Sequence, residues 1–103
     1  MHCVADFCVI PMSTPSASVS EYIAEAQRVL QKTGLKFQMH SYGTGLEGEW
    51  SEVMEAIGKV HERLHELGVP RCATDIRIGT RTDKHGTMEH KVKAVEDILA
   101  KDA

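Results

Sequence analysis

Leu35-Lys36-Phe37-Gln38-Met39-His40-Ser41-Tyr42-Gly43-Thr44-Gly45-Leu46-Glu47-Gly48-Glu49-Trp50 is the stretch that decides the fold. Leu35, Phe37 and Met39 alternate with Lys36, Gln38, His40 and Tyr42, the period of two that assigns one set of side chains to each face of a half-covered strand. Gly43-Thr44-Gly45 supplies the dihedral freedom of a turn, so Thr44 to Glu49 returns as a short strand in a hairpin with the one before it. From Trp50 the period lengthens. Val53, Ile57, Val60, Leu64 and Leu67 recur at spacings of 4, 3, 4 and 3, a helix that Gly68 and Pro70 end.

Upstream, Cys3 to Pro11 is β-prone, carries apolar residues on both faces and ends at a proline, which predicts a first strand covered on both sides. Ser18-Val19-Ser20-Glu21 has the spacing of a capping box. Val19, Tyr22, Ile23, Ala26, Val29 and Leu30 continue it as the apolar stripe of a helix that Gly34 stops. Downstream, residues 71 to 82 set Cys72, Thr74, Ile76, Ile78 and Thr80 against Arg71, Asp75, Arg77 and Arg81, a fourth strand. Asp83-Lys84-His85-Gly86 breaks it, and a last helix from Thr87 is expected to turn Met88, Val92, Val95 and Leu99 inward.

The order βαββαβ followed by a helix predicts an α+β, ferredoxin-like sandwich: a four-stranded antiparallel sheet with helices on one face, plus a C-terminal helix. With 103 residues the chain is expected to form one domain, 1–103. The sheet face away from the helices would carry Gln38, His40, Tyr42, Glu47 and the charges of the last strand beside apolar positions of the first. A face so apolar at its centre predicts oligomerisation through it or beside it.

Composition narrows the function classes. No apolar run is long enough for a membrane span, and the first residues lack the basic start and apolar stretch of a signal peptide, so a cytoplasmic protein is expected. Cys3, Cys8 and Cys72 are odd in number and lack C-x-x-C spacing, which indicates neither a disulfide framework nor a zinc knuckle. A net charge of −3 disfavours nucleic acid, and five aromatic residues without a strand aromatic signature argue against an RNA-recognition module of the same topology. His61 and His65 are four apart on a helix, but no motif places a third ligand for a metal. No nucleophile-base pair is recognisable either, so neither enzyme nor cofactor is expected.

Four stretches carry a family resemblance: Ala5-Asp6-Phe7 with Ile10-Pro11; the Ser-x-Ser of Ser18 and Ser20; Gly34-Leu35; and above all His40 to Trp50, which has a Gly-Thr-x-x-Glu-Gly pattern at Gly43, Thr44, Glu47 and Gly48. Together with Thr74 to His85 they make the chain resemble the family of small thiamine-binding proteins with a ferredoxin-like fold, its fungal members especially. Ser41-Tyr42 departs from the proline and aliphatic residue that many relatives carry there. The resemblance implies a sheet-to-sheet dimer or a dimer of dimers, with pockets near subunit contacts for thiamine or its hydroxymethylpyrimidine part.

Thiamine joins a flat aminopyrimidine to a cationic thiazolium ring. A pocket for it needs apolar or aromatic faces, a carboxylate, and hydroxyl or backbone groups that orient the pyrimidine. The candidates are Glu47 as the carboxylate, Thr44 as a hydroxyl beside it, Tyr42 to stack a ring, His40 to hydrogen-bond it, and Ser18 at a helix N-terminus. Each has a plainer reading: a solvated strand residue for Glu47, a turn bond for Thr44, subunit contact for Tyr42 and His40, a cap for Ser18. Asp6, a carboxylate within an apolar strand, is expected to find a partner such as Arg77. The rival class is a structural or regulatory oligomer with no small ligand.

Overall fold

In the computed structural model, which describes residues 1–102, the elements are β1 (His2–Met12), α1 (Ser20–Gln31), β2 (Lys36–His40), β3 (Gly43–Glu49), α2 (Trp50–Glu66), β4 (Arg71–Gly79) and α3 (Met88–Ala100). The strands form one sheet in the order β2-β3-β1-β4, every neighbouring pair antiparallel. The α+β ferredoxin-like arrangement expected from the pattern is the one observed.

Strand alternation explains the layering. Cys3, Ala5, Phe7 and Val9 of β1 and Leu46 of β3 point to one side, where they meet Ala26 and Leu30 of α1 and Val53, Ala56, Ile57, Val60 and Leu64 of α2 in a single core. Phe37, Cys72 and Ile78 pack against its margin. The α2 stripe read from the sequence is buried at its first four positions, whereas Leu67, past the end of the helix, is 40% exposed.

Glycine decides how closely the hairpin approaches its neighbour. A Cβ built on Gly43 would lie 2.6 Å from the carbonyl oxygen of Phe7, a backbone atom that has no room to yield. The hairpin therefore reaches β1 only because position 43 carries no side chain.

Three local expectations are corrected. The capping box at Ser18 does not form: Val19 is the N-cap, its carbonyl accepts the amides of Tyr22 and Ile23, and the Ser18 hydroxyl is left to donate to Ser20 Oγ. Asp6 stands opposite Arg77 in the β1–β4 register, yet its carboxylate accepts instead from His40 Nε2 at 2.7 Å, two strands away. The last helix does not turn its stripe into the core. None of its residues is buried, and Val92, Val95, Ile98 and Leu99 are each 56 to 62% exposed.

Helices α1 and α2 are also joined by charge. Arg63 Nε donates to Glu25 at 3.1 Å, and Arg28 donates to the same carboxylate. The Arg63 guanidinium first, and Arg28 with it, hold the Glu25 carboxyl below the usual glutamate range. A carboxyl so depressed stabilises the fold above its unfolded-state value, and that contribution disappears as pH falls through the folded one. Thermal midpoints are therefore expected to drop as pH is lowered from about 5 to about 3, with a shallower fall in Arg63→Gln. Leu46, fully buried at the centre of the sheet, supplies the packing test: Leu46→Ala is expected to cost about 2–5 kcal/mol in urea unfolding.

Candidate functional site

Two cavities flank the β2–β3 hairpin. The smaller, about 290 Å³, lies where β1 runs on beyond the hairpin and α1 covers the gap. Pairing of β1 with β3 ends at Phe7 and Thr44, while pairing with β4 continues to Met12. The β3-side edge of β1 past Phe7 thus has no strand partner. Phe7, Val9, Ile23 and Ala26 supply apolar walls, and Tyr42 and His40 stand at the hairpin end. The polar groups inside are Thr44, 4% exposed, and Gln27, whose Nε2 donates to Thr44 Oγ1 at 3.0 Å. That contact leaves the threonine proton and the glutamine carbonyl free to meet a ligand.

The larger cavity, about 920 Å³, lies over the open face of the sheet. Its floor includes Val4, Ala5 and Gly45, and its walls come from β2, β4, the loop after β4 and the start of α3. His40 lines both cavities. Its Nε2 donates to the Asp6 carboxylate while its Nδ1 accepts from the Tyr42 amide at 3.3 Å. A carboxylate oxygen cannot donate and an amide cannot accept, so the ring is held as the Nε2–H tautomer.

Glu47 occupies the open face but is 6% exposed. Its Oε1 accepts the backbone amide of Met88 at 3.1 Å, and its Oε2 lies 3.6 Å from His2 Nε2. That same nitrogen is 2.8 Å from the Gly86 carbonyl oxygen, which only accepts, so it carries the proton. The His2 ring lies against His85, centroids 3.9 Å apart. Met88 lies over Gly45, where a Cβ would come within 2.7 Å of the methionine sulfur. Lys36 pairs with Glu89. These contacts pin the first turn of α3 to the sheet.

A site built of stacked apolar walls, one hydroxyl, one amide and an imidazole-carboxylate pair can bind a flat heterocycle. Cys8 is the thiol among the residues lining the smaller cavity. Cys3 and Cys72 are both pushed up by burial, away from thiolate reactivity. No cluster of three or more metal-capable side chains occurs among the described residues, and no described helix is long and apolar enough to cross a membrane.

A family model described as thiamine-binding protein matches residues 5–96, from within β1 into α3. The chain belongs to the thiamine-binding protein family. Among its relatives, the UPF0045 protein ECM15 of the fungus Eremothecium gossypii is 46% identical, with 97% of this chain and 95% of the relative covered. A UPF0045 protein of the cyanobacterium Synechocystis is 48% identical over 96% of this chain and 81% of its own. None of these names carries an enzymatic activity. The crystal structure of a Methanocaldococcus jannaschii protein superposes with a TM-score of 0.84 at 35% identity, covering 92% of this chain and 96% of that one. A Thermotoga maritima protein, described as a candidate thiamine biosynthesis/salvage protein, shares the fold with a TM-score of 0.78 at 21% identity, covering 92% and 99%.

The residues singled out from sequence are divided by this geometry. His40, Tyr42 and Thr44 come together at the smaller cavity. Glu47 lies on the opposite face, committed to α3, and Ser18 lines neither cavity and is exposed. Gln27 escaped sequence reading although it left a signal: a polar residue four after Ile23 and three before Leu30, within the helical stripe. His2 and His85 left none, because only the tertiary fold brings them together.

Glu47→Ala is expected to free the start of α3, raising amide hydrogen exchange at residues 86–90 and costing about 1–3 kcal/mol of stability. Glu47→Gln, which keeps an acceptor for the Met88 amide, is expected to retain most of the protection.

Proposed function

We propose that the protein is a non-enzymatic cytoplasmic binder of thiamine or its hydroxymethylpyrimidine part, acting as a homo-oligomer with the ligand at or near a subunit contact. The observation that carries this reading is the hydrogen bond between buried Thr44 and half-buried Gln27 inside an apolar cavity of about 290 Å³, in a chain of the thiamine-binding family. An aminopyrimidine has donors and acceptors in one plane. It would lie between Phe7 and Ile23, exchange hydrogen bonds with Thr44 and Gln27, and use the free peptide edge of β1 beyond Phe7. The thiazolium would follow toward His40 and the Asp6 carboxylate, which offsets its charge. The description of the Thermotoga maritima relative points to the same chemistry.

Oligomerisation, as a dimer or a dimer of dimers, is supported by the exposed α3 stripe and by Val4 and Ile10 on the open sheet face. Three free cysteines suit a reducing compartment.

Calorimetric titration with thiamine and, separately, hydroxymethylpyrimidine tests the reading. Saturable binding is expected, weakened by about tenfold or more in Thr44→Val, which removes the hydroxyl and strands the Gln27 amide. Absence of heat and of any thermal shift with either compound would instead favour a structural or regulatory oligomer.

A further inference from the structure

The larger cavity has a charge opposite to that of the chain. The protein carries a net charge of −3, yet the side chains around this cavity include Arg77, Arg81, Lys84 and Lys91 against a single carboxylate, Asp6. Arg81 is engaged by Asp83, with its Nε donating at 2.6 Å, and the Arg81 guanidinium holds the Asp83 carboxyl down at about 2. Asp6, the register neighbour of Arg77, has turned to His40. Among the described residues, then, Arg77, Lys84 and Lys91 have no carboxylate within ion-pair distance. Three unpaired cations converge on one concave, apolar-floored space.

We propose that this cavity receives the phosphate or diphosphate of a phosphorylated heterocycle. The inference rests on the reading that the ring system occupies the smaller cavity. His40 is the wall common to both spaces, so a ligand with its pyrimidine at Thr44 and its cationic ring at Asp6 has its remaining arm directed past His40 over the open face. A hydroxyl at the end of that arm is served by neutral groups such as Gln38 and Thr80, whereas a phosphate would also use the charge of Arg77, Lys84 and Lys91. Arg77 presents the planar fork that matches phosphate oxygens, and the two lysines add mobile point charges. A second copy packed over this face about a twofold axis would bring the same cations toward one another, and the anion would then neutralise both sets.

Full-length protein would be titrated with thiamine, thiamine monophosphate, thiamine diphosphate and inorganic diphosphate, alongside the double variant Arg77→Gln/Lys91→Gln. Both positions are exposed, so folding is expected to survive, and circular dichroism checks it. Thiamine diphosphate is expected to bind at least about tenfold more tightly than thiamine, with an advantage that shrinks as salt is raised. The double variant is expected to erase that advantage and leave thiamine affinity unchanged. Equal affinity for thiamine and its diphosphate, or an advantage that survives in the variant, would overturn the proposal while the thiamine reading stands. Thermal stabilisation by inorganic diphosphate that depends on Arg77 and Lys91, without any binding of thiamine, would support the anion site and remove the thiamine reading instead.

Discussion

The two-residue period of β3 is the constraint on which everything else hangs. Thr44 and Leu46 face the helices, while Gly45 and Glu47 face away. Leu46 fills the centre of the core, and Thr44, two residues earlier on the same side, reaches the gap under α1. Gly45 leaves space for Met88, and Glu47 takes the Met88 amide. A motif contiguous in sequence therefore serves two regions on opposite faces of one sheet. A one-residue slip in register would exchange the two sets and destroy core, cavity and α3 attachment together.

Most of the architecture was legible because each element has a pattern with a physical cause. The alternation of Leu35 to Tyr42 and the spacing of Val53, Ile57, Val60 and Leu64 are set by strand and helix geometry, and the observed elements follow them. The stripe of α3 was legible as well, but its destination was not. Met88, Val92, Val95 and Leu99 announce an apolar face, and periodicity says nothing about what will cover it. In the single chain only Met88 finds a seat, over Gly45.

The site was legible in part for a similar reason. Thr44, Tyr42 and His40 gather because they are close in sequence and sit around one turn. Glu47 belonged to the same motif and was expected beside Thr44, but three residues along a strand is an odd step, which sends the side chain to the other face. Ser18 was read from a spacing that fits a cap, yet the helix begins at Ser20 because the Val19 carbonyl already accepts the first amides. Asp6 chose His40 over Arg77, and no pairwise spacing reveals a choice made across three strands.

The attachment of α3 by its first turn alone has an evolutionary consequence. Val92, Val95, Ile98 and Leu99 make no contribution to the buried core, so substitutions there are not screened by the folding of the domain. In an oligomer of the proposed kind, Val95, Ile98 and Leu99, which line neither cavity, can drift, and with them the geometry or strength of association, while the sheet and both cavities stay as they are. If the chain assembles as proposed, its assembly state is then free to diversify faster than its ligand chemistry.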